Sequence, residues 1–377
     1  MLEDKIYNEQ DFKMRRGLKM KVILQDMKLP SFSFKLPRLK NLPFLKRKKS
    51  GYIGITLEDG GLRYAEVRHS LYSIEVKRAG FIEIESGLVE RGKIIDEGSL
   101  EIRLTDGSKR EGLKGKRAVI SIPSSSLFIR KVLLPPVPEK EVRMLLEVEL
   151  ETTVHVPFAR PYFDYYKLGS IAENEDEEPQ DQYLVVAAPG DLIDQYMDLL
   201  DFLQIELMAA EIEPLALYRM LENYAEVTEE DFMIVQLGMH SVNVSFFKGE
   251  IPEFVRNIPI DLTSYNISLN ERNLQSSSLF QYMKDRGVFE GFARDLMREL
   301  ERVLTFYEFN MTNDGTRVQK IYLTGDFPNM EEMMEILQQN VEHAEVTKFP
   351  IEYINHSWSN QDEVHAYMVP VGLSMRG

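Results

Sequence analysis

The sequence predicts a mixed α/β protein of two lobes, with a further α+β unit inserted into the first lobe. Three observations lead there. The first is a duplicated β-meander. Residues 231–260 read DFMIVQLGMHSVNVSFFKGEIPEFVRNIPI, three strand-like runs over 233–237, 241–247 and 251–260 with turns at 238–240 and 248–250. Val242, Val244 and Phe246 alternate with the period of a half-buried strand. The same plan occurs over 52–57, 62–67 and 74–84, and placing Thr56 on Gln236 gives an offset of 180 residues (236 − 56). The second observation is length, since 377 residues exceed one minimal core. The third is the order β-β-α-β-β-α-β-α read over 113–224, between the two meanders.

Taken in order, residues 1–50 form a basic tail. Pro30, Pro37 and Pro43 forbid one long helix there, and Phe32, Phe34, Phe44 and Leu45 interleave with cations up to Lys46, Arg47, Lys48 and Lys49. After the first meander, 87–104 is punctuated by turns and leads into a short helix or strand. Residues 117–122 read as an apolar strand stopped by Pro123, Ser124 to Ser126 as a hairpin turn, and 127–134 as a strand stopped by Pro135 and Pro136. A helix follows over 139–151, with acids in its first turn suited to the macrodipole and an apolar stripe at Val142, Leu145, Leu146 and Leu150. Residues 162–167 are a strand, 171–182 an acidic solvated hairpin loop, and 183–188 an apolar run suited to burial on both faces. Asp191 is placed to cap a helix carrying Leu192, Tyr196, Leu199, Leu200 and Leu203. A strand over 205–212 and a short helix over 214–224 close this part.

After the second meander, 279–311 is mostly helical. Phe292, Leu296, Leu300, Val303 and Tyr307 step by 4, 4, 3 and 4 and define its buried face. Then come a strand over 318–324, a turn at Gly325 and Asp326, a helix over 330–339, and a closing helix over 363–376 interrupted or started by Pro370. The expected division is a tail over 1–50, a first lobe of 51–112 with 360–377, an inserted unit of 113–224 and a second lobe of 225–359.

Composition narrows the function classes. The chain has no cysteine, which excludes disulfides and thiolate metal sites. No run of 18 apolar residues predicts a transmembrane helix and no apolar core marks a signal peptide, so a cytoplasmic location is expected. The net charge of −16 is uneven: residues 1–50 carry 14 Lys+Arg against 5 Asp+Glu, and removing that +9 leaves −25 for the rest. An acidic body of this kind is not expected to bind nucleic acid. The basic tail is expected to be a disordered, solvated segment, with contact with anionic lipid the functional alternative.

Five stretches carry a resemblance to a known family: residues 53–67, VISIPSSSLFIRKVLLP (119–135), EVELETTVHVPF (147–158), EIEPLALY (211–218) and VGLSMR (371–376). The most specific are Val156–Pro157–Phe158 after a Glu-rich helix, and Gly372 and Leu373 with Arg376. In this order they resemble the PilM family of type IV pilus assembly proteins, a branch of the actin-like superfamily, and more distantly FtsA. The resemblance covers roughly residues 51–377. It implies a bilobed actin-like fold with the inserted unit of the PilM and FtsA type, and work at the inner face of the cell membrane. It also implies a partner, the short cytoplasmic N-terminus of a PilN-like inner-membrane protein, and a connection to pilus motor ATPases. A homo-oligomer is also open.

The same resemblance sets an expectation for nucleotide. Actin-like ATPases use an acid at the end of the first strand of each lobe to orient magnesium, a hard cation that prefers oxygen ligands, and glycines that let backbone amides approach phosphates. Here those positions hold Thr56 and Gln236. The first turn has Glu58 and Asp59 ahead of Gly60 and Gly61, and a carboxylate facing a triphosphate is repelled. Gly238 remains in the second turn, followed by Met239 and His240, and the adenosine-side glycine pair becomes Gly325–Asp326. A degenerate cleft is therefore expected at Thr56, Glu58, Gly60, Gly61, Gln236, Gly238, Gly325 and Asp326, with no cofactor the favoured reading and ATP with magnesium the alternative.

Other chemistry has no foothold. The six histidines (His69, His155, His240, His343, His356 and His365) lack metal-ligand spacing, Ser124 to Ser126 lack the G-x-S-x-G context, and Glu147, Glu149 and Glu151 read as a solvated helix side. The preferred function is a non-catalytic scaffold that binds the partner's segment between the first meander and the inserted unit, with Arg130 a candidate contact. The alternative is an ATP-binding, FtsA-like switch or filament former.

Overall fold

The computed structural model describes residues 51–171, 178–224, 231–238, 241–259, 285–311, 315–326, 329–341, 343–358 and 361–376. The tail with Lys46, Arg47, Lys48 and Lys49, and the turn residues Met239 and His240, lie outside them.

Both meanders form where the alternation places them. Strands β1 (Ile53–Glu58), β2 (Gly61–His69) and β3 (Ile74–Glu83) pair antiparallel in sequence order. The short strands β4 (Val89–Glu90) and β5 (Lys93–Ile94) precede helix α1 (Glu97–Arg110), which Asp96 caps by accepting from the Ser99 amide. Next come β6 (Arg117–Ile122), a 3-10 turn at Ser124–Ser126, β7 (Phe128–Leu134), α2 (Glu139–Thr152), β8 (Pro161–Ile171) and β9 (Gln180–Pro189). Helix α3 (Gly190–Phe202), β10 (Glu206–Ile212) and α4 (Glu213–Tyr224) follow. Asp191 is not the cap of α3: the helix starts at Gly190, and Asp191 sits inside the first turn, where its charge faces the positive end of the dipole.

The second meander is β11 (Phe232–Leu237), β12 (Ser241–Lys248) and β13 (Ile251–Pro259). It is followed by α5 (Arg286–Asn310), β14 (Lys320–Gly325), α6 (Met330–Asn340), β15 (Glu345–Lys348) and β16 (Ile354–Asn355). A 3-10 segment, Gln361–Tyr367, runs into α7 (Met368–Ser374), so Pro370 belongs to the first turn of the closing helix, where a missing amide costs nothing.

The repeat extends to sheet topology. One sheet has the order β10-β6-β1-β2-β3-β16 and the other β13-β12-β11-β14-β15. In each, the first meander strand pairs antiparallel with the next and parallel with a strand far along the chain, β1 with β6 and β11 with β14. Five strands thus recur with one connectivity. The sheets also redraw the expected divisions. Arg117–Ile122 and Glu206–Ile212, placed with the inserted unit from sequence, hydrogen-bond into the first sheet, and Ile354–Asn355 joins that sheet beside β3. Parallel neighbours need a long crossover, so sheet partners are distant in sequence and contiguity is a poor guide. What stands apart is the three-stranded sheet β7-β9-β8. Helix α2 covers one face through Val142, Leu146 and Leu150, while Leu184 and Val186 pack the other face on Ile212 and Leu215. Both faces of 183–188 are therefore buried, as its apolar run requires.

Helices α5 and α6 back the second sheet. The stripe Phe292, Leu296, Leu300, Val303 and Tyr307 is buried along its length, and each such side chain contributes roughly 1.5–3 kcal/mol. The opposite face is aromatic: Phe232 and Phe247 stack with centroids 4.9 Å apart, and Tyr218 of α4 stacks on Phe247 at 5.4 Å. Helix α7 lies so close to the first sheet that a Cβ on Gly54 would sit 1.9 Å from the Pro370 carbonyl oxygen. Ser374 ties it there, accepting from the Val67 amide and donating to the Tyr52 carbonyl. Buried Glu211 accepts from Arg219 and, at 2.6 Å, from Arg376. The Gly372 and Arg376 signature is thus a close approach of α7 to α4 and an ion-pair clamp.

Candidate functional site

The turns that end β1, β11 and β14 converge on one cavity of about 80 Å³. Thr56, Glu58, Gln236, Gly238, Gly325 and Asp326 all line it, so six of the eight residues expected in the cleft meet there. Gly60 and Gly61 belong to the same turn but are not part of the wall. Gly61 answers a packing need, since a Cβ would meet the Ile82 carbonyl oxygen at 2.3 Å. Gly325 likewise has φ +95° and lies against the Leu237 backbone.

The centre of the site is Arg63, on β2, which sequence reading passed over. Its side chain is 1% exposed. Nε donates to Glu58 Oε1 at 2.9 Å, and Nη2 donates to Glu58 Oε2 and to Asp326 Oδ2, each at 3.0 Å. Thr56 Oγ1 also donates to Glu58 Oε1, at 3.0 Å. The rings of Phe81 and Tyr367 lie with centroids 5.2 and 5.1 Å from the guanidinium carbon, within cation–π range. Burial works against the charge, but Glu58 and Asp326 outweigh it and raise the Arg63 pKa above the ordinary arginine value. The contact joins the two sheets, because Arg63 belongs to the first and Asp326 follows β14 of the second. The available signal was an arginine in the buried run Gly61–Ala65, a costly place for an unpaired charge.

A second cross-sheet contact lies on the same cavity. Glu213, at the start of α4, accepts from Ser124 Oγ at 2.7 Å and from Asn243 Nδ2 at 3.1 Å, and Asn257 donates to Asn243 at 2.7 Å. Burial, reinforced by the charge of Glu58 against the Ser124 hydrogen bond, raises the Glu213 pKa to about 7. Ser124, read as a plain hairpin turn, is therefore a site residue. His365 stands beside the wall residue Ala366, and burial lowers its pKa to about 4, so it is neutral near pH 7.

Three polar groups of the turns are engaged within the chain. The Gly238 amide donates to the Ser241 carbonyl and the Asp326 amide to the Leu237 carbonyl, both at 2.8 Å. Asp59 Oδ1 accepts from the Gly92 amide at 3.2 Å. Arrayed phosphate-facing amides and an acid free to hold magnesium water are what a nucleotide–metal complex requires. The residues present do not fit that group: Glu58 is bound by Arg63 and Thr56, and Glu58, Asp59 and Asp326 face any added polyphosphate with like charge. The cavity is also small against the roughly 300–1,000 Å³ of ligand pockets.

The sequence model of the type IV pilus assembly protein PilM family matches residues 54–377. The chain belongs to that family. None of the curated proteins matches it in sequence. Among solved structures, a PilM-PilN type IV pilus biogenesis complex is similar to it at TM-score 0.70 and 19% identity, over 87% of this chain and 99% of that one. The ethanolamine utilization protein EutJ from Carboxydothermus hydrogenoformans gives TM-score 0.49 and 13% identity, over 98% of this chain and 100% of that one. The PilM-family fold is the bilobed actin-like α/β fold expected from the sequence. No helix among the described residues is long and apolar enough to cross a membrane.

Proposed function

We propose that this PilM-family chain is a non-catalytic scaffold of type IV pilus assembly that binds the cytoplasmic N-terminal segment of a PilN-like membrane protein. The observation that carries the non-catalytic part is the Arg63 ion-pair set, which commits Glu58 and Asp326 to a cation of the chain itself. The partner is suggested by the similar solved structure, in which PilM and PilN occur together.

In this reading the partner's segment docks beside the three-stranded sheet, by strand addition or in a groove. Arg130 is exposed on β7 with its guanidinium 5.2 Å from the Phe128 ring centroid, where it can meet an acidic or carbonyl-rich segment. The protein works at the inner face of the membrane, with Lys46, Arg47, Lys48 and Lys49 on anionic lipid at roughly 1 kcal/mol each. Calorimetric titration of the partner's N-terminal peptide is the test. Binding in the micromolar range, weakened about tenfold by Arg130→Glu, is expected, a loss of about 1.4 kcal/mol. Failure to bind at about 1 mM peptide, or magnesium-dependent ATP turnover above background, would overturn it.

A further inference from the structure

We infer that the cleft is self-ligated: the Arg63 guanidinium is its built-in occupant, and Glu58, Asp326, Phe81 and Tyr367 form a receptor for a planar guanidinium-class cation. The inference rests on the proposed non-nucleotide reading and deepens it by naming what holds the site.

The geometry is that of a binding site rather than a surface ion pair. Glu58 offers both oxygens to the fork, a bidentate arrangement that a guanidinium satisfies and an ammonium does not. Asp326 adds a third acceptor from the other sheet, and its own amide is pinned to the Leu237 carbonyl, so the acceptor is held in place. Two aromatic rings flank the cation and Thr56 steadies Glu58. Arg63, Asp326 and Thr56 are each under 5% exposed. Glu58 is 25% exposed, so the receptor is dry on the Arg63 and Asp326 side and open to the cavity at Glu58. The burial of the cation and of Asp326 strengthens their contact and makes an empty site costly. A side chain of the first sheet reaches the second, so no soluble ligand is needed to tie the sheets together at this place.

Removing the side chain while leaving the receptor tests this in the full chain. Arg63→Ala is expected to lower the thermal midpoint by about 5 °C or more. Methylguanidinium at about 20 mM, far below denaturing concentrations, should recover at least half of that loss, while sodium chloride of equal ionic strength should not, and the wild-type midpoint should stay put. If Arg63→Ala does not fold, Arg63→Lys decides: the ammonium lacks the fork, so a clear drop in midpoint is expected that methylguanidinium leaves unchanged. A wild-type midpoint in either variant, or equal responses of Arg63→Ala to methylguanidinium and salt, would overturn the self-ligation. Titration of about 1 mM magnesium-ATP into wild-type protein separates the two levels. No saturable heat together with failed rescue defeats the receptor alone and leaves the scaffold reading. Saturable heat defeats the non-nucleotide reading, and this inference with it.

Discussion

Arg63 and Asn243 occupy the same place in the two halves of the molecule. Arg63 pairs across the strands with Thr56, and Asn243 pairs with Gln236 in the same register, 180 residues later (243 − 63). Each points into the shared cavity and reaches a carboxylate belonging to the other half. Arg63 reaches Asp326, and Asn243 reaches Glu213. The chemistry differs. One side is a full cation between carboxylates; the other is an amide donating to a carboxyl whose pKa burial has raised to about 7. Duplication therefore conserves where a side chain points, whereas charge is balanced locally. The cation is matched by Glu58 and Asp326, and the amide meets an acid that is half protonated near neutrality.

Four experiments would break or sharpen this contrast. The largest effect is expected from Arg63→Met, which strands Glu58 and Asp326 against each other and should cost about 3–5 kcal/mol in urea denaturation. Next is the pH dependence of Glu213. Its folded pKa of about 7 lies above the ordinary glutamate value, so the folded state holds the proton longer. Its stabilising effect is complete below about pH 4.3, declines as pH rises to about 7, and the full cost, on the order of 3–4 kcal/mol, persists above. Glu213→Gln should therefore match the wild type near pH 4 and exceed it at pH 8. Part of the slope will remain, because Glu222, raised to about 7 by burial and by Glu250, acts in the same direction.

Asn243→Ala, which orphans Asn257 and one contact of Glu213, should cost about 1–3 kcal/mol. A cost equal to that of Arg63→Met would show that the two halves carry the same load and would break the contrast. The smallest effect is expected from Arg130→Ala. Exposed and part of neither contact, it should change stability by no more than about 0.5 kcal/mol while weakening partner binding in the titration.

Much of the fold could be read before the structure. The stepping of Phe292, Leu296, Leu300, Val303 and Tyr307 marks the face its helix buries. The alternation at Val242, Val244 and Phe246 found one face of a strand that is buried on both, because Asn243, Ser245 and Phe247 are covered as well. The cavity wall was legible through the turn residues, since Thr56, Glu58, Gln236, Gly238, Gly325 and Asp326 converge on it. Three things were not legible. The strands Arg117–Ile122 and Glu206–Ile212 lie inside a stretch that reads as one unit, yet they pair in the first sheet. Gly61 was placed in a phosphate turn and Gly325 on the adenosine side of the cleft, but each relieves a close backbone approach. Ser124 looked like a turn residue, but its hydroxyl anchors Glu213.

The sequence by itself determined the elements and their repetition, because strand and helix periodicities are written in residues two to four positions apart. It also determined that the acids expected at 56 and 236 are absent. Only the tertiary structure decided what replaces their chemistry. Arg63 and Asp326 stand 263 positions apart, and Glu211 and Arg376 stand 165 apart. No local pattern links such residues. They meet because two sheets and a closing helix assemble around one cavity, and a charge buried there is stable only where the assembled fold supplies its counter-charge.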